Sequence, residues 1–296
     1  MKHTLLISLL LMVLFLGAQL IGLVVIDRYT QVKEVVRVDV ERNIVVKERE
    51  ITYSRLPYDI ERPEFEKETS YIPIMIAILI ATAISLLLIK FRVLKLWKTW
   101  FFLSVGLALL IAFSAFIHEI LALILAIVLA TIKVFRPNIL VQNFTELFIY
   151  GGLAGIFVPI LNLTSITILL VIVSLYDVIA VWKTKHMVKL AKFQYSTKTF
   201  AGLLIPYEIE KQKVKGGKEK RVEQRAILGG GDIGFPLLFM GVVLNNTNFL
   251  YATIVSLFAT AALLILLLAG NKNKFYPAMP FLSIGCFVGF LSLFLL

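Results

Sequence analysis

Two aspartates interrupt otherwise apolar sequence. Asp177 sits inside the run from Val171 to Trp182, and Asp232 opens the run that ends near Leu244. Lys183 follows Asp177 by six residues, and Arg225 precedes Asp232 by seven. At about 1.5 Å per helical residue, both carboxylates fall roughly 9–10 Å inside the same boundary. A carboxylate at mid-span costs about 2.5–3.5 kcal/mol on the lenient insertion scale. Two of them at one depth, on consecutive segments, point to a shared task. Adjacent carboxylates cannot both ionise, so they hold one proton between them. One then takes a proton from a trapped water while the other donates to a scissile carbonyl. The titration belongs to the pair, and acid and base are not assigned. A proton or cation relay in a membrane transporter also needs intramembrane acids, and spacing alone does not separate that reading from hydrolysis.

The elements that must position these groups follow from composition. The chain has 296 residues, 59% of them hydrophobic and 17% charged, with a mean hydropathy of +0.89. Ordinary soluble chains run about 45–50% apolar and about 25% charged. The apolar residues fall in nine blocks, roughly 4–26, 71–89, 99–117, 120–135, 142–161, 164–182, 228–244, 249–269 and 278–296. Most approach the ~20 residues that span a bilayer as a helix. A cytosolic enzyme, a disordered regulator and a disulfide scaffold are excluded, and Cys286 is the only cysteine. The fold class is therefore all-α, a polytopic membrane protein of about nine helices. Residues 1–296 form a single membrane-embedded domain with two long loops, 27–70 and 183–227.

Charge sets the orientation. With the N-terminus cytoplasmic, the inside segments hold 21 of the 30 Lys and Arg residues, and the other 9 lie within 27–70. That bias predicts N-in and C-out. The net charge of +11 is thus a topology signal, and no nucleic-acid partner is expected. Glu146 lies near the start of its segment and is expected to reach the interface. Loop 27–70 alternates in places, as in Val36-Arg37-Val38-Asp39-Val40, and predicts a β-hairpin outside the membrane with Glu41-Arg42-Asn43 at its turn. Loop 183–227 is basic and broken at Gly216-Gly217.

Other chemistries lack candidates. His118-Glu119 begins an H-E-x-x-H pattern, but Ala122 stands where the second histidine is needed. No serine has a G-x-S-G setting. Gly229-x-Gly231-x-x-Gly234 matches a dinucleotide fingerprint but opens a membrane segment, with no βαβ context. No metal or cofactor is expected. Gly229 and Gly231 remove side chains where a backbone must come close, or where helices pack. Tyr176 either donates a hydrogen bond near the aspartates or packs. Pro277 and Pro280 cannot continue a helical ladder, so an irregular backbone is expected there, buried or lining a cavity. Pro236 kinks its helix or is an ordinary membrane-helix proline. Gln19 either bonds across helices or faces the cavity.

The order of these elements is informative: Tyr176-Asp177, then Gly229-x-Gly231-Asp232, then Pro277-Ala278-Met279-Pro280. A Y-D, a G-x-G-D and a P-A-L-like element in this order resemble the presenilin and signal-peptide-peptidase family of intramembrane aspartyl proteases, most closely an archaeal presenilin homologue in a prokaryotic cell membrane. The N-in orientation is similar to the presenilin branch. The resemblance implies an aspartic endopeptidase that cuts transmembrane-helix substrates within the bilayer, with Asp177 and Asp232 as the catalytic pair. It also implies that Pro277, Ala278 and Met279 line the site. Met279 stands where the family usually has Leu, and Met is close in volume and more flexible. The stretch Arg225-Ala226-Ile227-Leu228 is read as a strand that pairs with an unwound substrate. The transporter alternative predicts a second copy of the broken-helix elements, and the sequence has none. Substrate identity and accessory subunits are not encoded in these motifs.

Overall fold

The computed structural model describes residues 5–39, 44–91, 93–184, 186–197, 199–213, 219–270 and 276–295. Among the described residues, nine α-helices overlap the nine apolar segments: α1 (Leu5–Tyr29), α2 (Tyr71–Phe91), α3 (Leu94–Ser114), α4 (Glu119–Phe135), α5 (Ile139–Phe157), α6 (Leu163–Val178), α8 (Gly230–Asn246), α9 (Phe249–Ala269) and α10 (Met279–Ser292). A further helix, α7 (His186–Ser196), lies between α6 and α8. Six of the helices, counting α5 and α6 with the turns that follow them, are long and apolar enough to cross a membrane. Helices α4, α8 and α10 are shorter, at 17, 17 and 14 residues.

The ends of the helices are written into the sequence. Asn138, Asn162 and Asn248 cap α5, α6 and α9 by accepting backbone N–H bonds. Such caps satisfy donors that have no partner within the helix. Asn162 and Ser165 cap α6 reciprocally. His118 caps α4 through Nδ1, which gives that residue a structural role. Helix α1 runs through the interior, packed against α5, α8 and α9. Its Phe15, Ala18 and Leu23 are fully buried. Helices α3, α4 and α5 pack together on one side, and α9 packs along α10. In contrast, α2 has a single buried residue, Ile74, and most of its surface is exposed.

The fold is mostly helical but not all-α, which corrects the class expected from hydropathy. Strands β1 (Thr30–Asp39) and β2 (Ile44–Tyr53) form the hairpin that alternation predicts in 27–70, and the turn at 41–43 lies outside the described residues. Within 183–227, β3 (Gly202–Lys213) pairs antiparallel with β4 (Glu219–Gly229). Gly216-Gly217 falls outside the described residues. This second sheet was invisible as a periodicity because its outer half is charged and its apolar end, Leu203–Ile205 with Ala226–Leu228, merges with α8. The first hairpin is fastened to the bundle. Asn245 Nδ2 donates to Tyr53 Oη at 2.9 Å, and Arg62 Nε donates to the Gly155 carbonyl at 3.1 Å.

Small residues set the closest helix contacts. Gly152 lies against the backbone of α3, where a Cβ would collide with the Ala108 carbonyl oxygen. Gly289 would place a Cβ 3.0 Å from Val255 Cα on α9. Gly152→Ala should therefore force α3 and α5 apart and destabilise the fold by about 1–3 kcal/mol, the usual range for overpacking. Unfolding of the purified protein in detergent reads the change, and wild-type stability in the variant would remove α3–α5 contact as its cause.

Candidate active site

The site is built where three helices meet. Helices α6, α8 and α10 each pack against the other two. Asp177 is buried on α6 one residue before that helix ends. A π-turn, Ile179–Lys183, follows at once, and the Thr184 N–H reaches back to the Ile179 carbonyl at 3.0 Å. Such turns inside helices recur at functional positions. The helix widens just beyond the carboxylate, before the chain reaches α7.

The Pro277–Pro280 element meets Asp177 at the start of α10. Ala278 is the N-cap of α10, and the helix begins at Met279 with Pro280 in its first turn. A proline belongs in that first turn because its missing N–H would have no partner there. The Met279 N–H donates to Asp177 Oδ2 at 3.2 Å, and the Ala278 amide faces the same carboxylate. Helix α10 thus turns its N-terminal N–H groups toward an acidic side chain, the orientation that its dipole favours. Ala278 and Met279 are buried. Higher on the same contact, Ser174 and Ser283 are hydrogen-bonded at 2.8 Å.

Asp232 stands in the first turn of α8, directly after β4. Gly229 is both the end of the strand and the cap of the helix, with extended dihedrals of φ −68° and ψ 151°. The Asp232 carboxylate folds back over this junction: a Cβ on Gly229 would lie 3.2 Å from Asp232 Oδ2. Gly231 would bring a Cβ into ordinary contact with Phe235. Gly229 keeps room for the carboxylate, and Gly231 is the less constrained of the two. Pro236 lies inside α8. It lacks the N–H that would pair with the Asp232 carbonyl one turn earlier, which loosens the helix where it carries the aspartate. Gln19 Nε2 donates to the neighbouring Ile233 carbonyl at 3.0 Å, so that residue bonds across helices. Tyr176 reaches toward α2, with its hydroxyl 3.5 Å from Thr82 Oγ1.

One cluster behind α8 was missed from sequence. Glu146 does not reach the interface, contrary to what its place in the segment predicts. It is 1% exposed and pairs with Lys133 Nζ at 2.6 Å, which is equally buried. Lys133 had counted only as a cytoplasmic topology charge. Tyr150 donates to Glu146 Oε2, and its ring lies against Gly230 and Gly234 of α8. The signal was available: a short link between α4 and α5 makes them antiparallel neighbours, and Glu146 and Tyr150 are four apart on one helical face.

Comparison with known proteins agrees with this architecture. A sequence profile described as signal-peptide peptidase, presenilin aspartyl protease matches residues 53–296. Two solved structures of a presenilin family intramembrane aspartate protease, in C222 and P2 crystal forms, share the fold. The first is 16% identical over 95% of this chain and 94% of its own, with a TM-score of 0.58. The second is 17% identical over 99% and 98%, with a TM-score of 0.61. No curated protein matches the chain. The six apolar helices describe an integral membrane protein, and the profile match over most of its length means that the chain belongs to the signal-peptide-peptidase and presenilin family of aspartyl proteases.

Proposed function

We propose that Asp177 and Asp232 are the catalytic dyad of an endopeptidase that hydrolyses peptide bonds of transmembrane segments. The observation that carries the reading is the three-way packing of α6, α8 and α10. It gathers one carboxylate at the end of α6, one at the start of α8, and two amides at the start of α10. With one proton shared, the ionised carboxylate takes a proton from water, and the water oxygen attacks the carbonyl carbon. The protonated partner gives its proton to the carbonyl oxygen. Collapse of the diol breaks the C–N bond, and the amine leaves with a proton from the dyad. The amides of Ala278 and Met279 hold the Asp177 carboxylate in place through these steps.

The whole chain of 1–296 acts as one domain in this reading, with nine spans, the N-terminus in the cytoplasm and the C-terminus outside. Loop 27–70 is extracytoplasmic and loop 183–227 cytoplasmic, in an archaeal cell membrane. The short α4, α8 and α10 fall below the ~20 residues of a full span, and local thinning of the bilayer accommodates them at modest cost. Tyr176 sets the spacing between α6 and α2, and Pro277 and Pro280 keep the start of α10 open.

A helical substrate hides its peptide bonds in its own hydrogen bonds, so it must be unwound and held extended. The β3–β4 sheet supplies an edge. Asn143 of α5 donates to the Leu204 carbonyl at 2.8 Å and accepts from the Leu204 N–H at 2.9 Å. Both polar groups of Leu204 therefore point away from β4. In an antiparallel ladder the residue opposite then points away from β3. That residue is Ile227. It is 43% exposed, with its backbone groups directed outward two residues before Gly229. Asn143 closes the outer edge of β3, and β4 presents the edge on which a substrate strand pairs.

Three outcomes test the reading with a single-span substrate in liposomes. Asp177→Ala and Asp232→Ala should each lower cleavage by about 10²–10⁴-fold with unfolding temperature retained. Wild-type cleavage by either variant would exclude the dyad, and ion flux through the same residues would then be measured. Met279→Pro keeps a residue suited to the first helical position but removes the donor to Asp177. It should lower kcat by about tenfold or more, whereas Met279→Leu stays within about threefold. Ile227→Pro removes an outward N–H and should raise KM by about three- to tenfold without a change in stability. Ala226→Pro breaks the ladder to β3 and should lower stability as well. Equal stability losses in the two would place Ile227 inside the sheet.

A further inference from the structure

The Lys133–Glu146 pair needs a reason to exist. Removing two charges from water costs several kcal/mol per ion, and an apolar pair of similar volume often stabilises a fold as well or better. Buried pairs are best attested where they fix a register. What this pair could register is visible from its bonds. Glu146 Oε1 accepts from Lys133 Nζ and from Gln142 Nε2 at 3.0 Å, and Oε2 accepts from Tyr150. Lys133 Nζ also donates to Thr145 Oγ1 at 3.0 Å. Gln142 Nε2 goes on to the Phe200 and Gly202 carbonyls, each at 2.9 Å, where β3 begins. Gly202 has a φ of +142°, which only glycine adopts with ease.

At the other end, the Tyr150 ring crosses the first turn of α8. A Cβ on Gly230 would lie 2.7 Å from Tyr150 Oη, and one on Gly234 3.6 Å from Cδ1. At about 100° per residue, Asp232 projects from the side of α8 roughly opposite Gly230 and Gly234. Tyr150 therefore braces the turn from behind. No linker separates β4 from α8, so a shift of the sheet along α5 would displace Asp232 directly.

We propose that Glu146, neutralised by Lys133, is a positioning residue that locks the β3–β4–α8 unit against α5, through Gln142 at the strand and Tyr150 at the helix, and thereby holds Asp232 in place. The catalytic consequence rests on the dyad reading above. The mechanical one does not, and the two are separable by experiment.

Tyr150→Phe keeps the ring and removes the link to Glu146. Lys133→Met with Glu146→Gln removes both charges and keeps the link in neutral form, the amide oxygen accepting from Gln142 and the amide N–H donating to the Tyr150 hydroxyl. Amide hydrogen exchange of the full chain in detergent, together with kcat and KM, reads both variants against Asp232→Ala. Tyr150→Phe should speed exchange within residues 226–234 by about tenfold and lower kcat by about tenfold, at unchanged KM. The neutral double variant should remain within about threefold of wild type in both. Wild-type exchange and kcat in Tyr150→Phe overturn the proposal, because the brace is then idle. Equal losses in the two variants also overturn it, because charge and not the hydrogen-bonded link then matters. If Asp232→Ala still cleaves, the dyad reading fails, and the exchange pattern alone decides the brace.

Discussion

A polar group inside hydrocarbon must find its partner within the protein, and this constraint orders the structure. Helices satisfy their own backbone, so apolar segments need only length. Every departure from a helix, and every ionisable side chain, must then be answered by a neighbour. Asp177 is met by the amides that begin α10. Asp232 folds back over the N-terminal turn of its own helix. Glu146 and Lys133 answer each other. Buried Gln19, Gln142 and Asn245 spend amide hydrogens on carbonyls and a phenol of other elements, and Gln142 also donates to the Glu146 carboxylate on its own helix. Asp177, Asp232 and Asn245 lie near helix ends, where unpaired backbone groups already exist, whereas Gln19 and Glu146 sit mid-helix and depend on partners from neighbouring residues.

That placement explains why the helices of the site are interrupted. A continuous α10 would leave no free N–H groups for Asp177, and a side chain at Gly229 would crowd the Asp232 carboxylate. Pro277 and Pro280 set the start of α10, the π-turn after Val178 ends α6, and Gly229 ends β4 as it opens α8. Each break is local, and at the start of α10 the irregular backbone is buried, as it must be at membrane depth.

Much of this was legible before any coordinates, for a physical reason. Hydropathy and charge report on solvent, and the bilayer is a severe solvent, so the nine helices fall within a few residues of the nine apolar blocks. The aspartates were legible because a charge in such a block is conspicuous, and the prolines and glycines because they interrupt a ladder. Of the β3–β4 sheet only Arg225–Leu228 of β4 was legible as a strand, and β3 was not. Strands identify themselves by burying one face, and here the partner that covers the apolar end is the bundle itself, in whose core Leu203, Ile205, Ala226 and Leu228 are buried. Glu146 was misplaced because position along a segment says how deep a side chain starts but not which way it turns. Lys133 looked like a topology signal for the same reason: its partner is on another helix.

The two edges of the β3–β4 sheet show how such pairings shape function. Both strands start with the same liability, a row of unpaired backbone groups. On β3 the side-chain amides of α5 meet these groups at Gly202 and Leu204. On β4 the corresponding groups are at Ile227 and Gly229, opposite those two residues in the register. Gly229 is also the cap of the helix that carries Asp232. An extended chain laid along β4 would run toward that carboxylate without a turn, whereas one on β3 would lie on the far side of the sheet. The amides of α5 therefore do more than satisfy an edge. By occupying one side, they leave the β4 side for the unwound peptide of the proposed reaction.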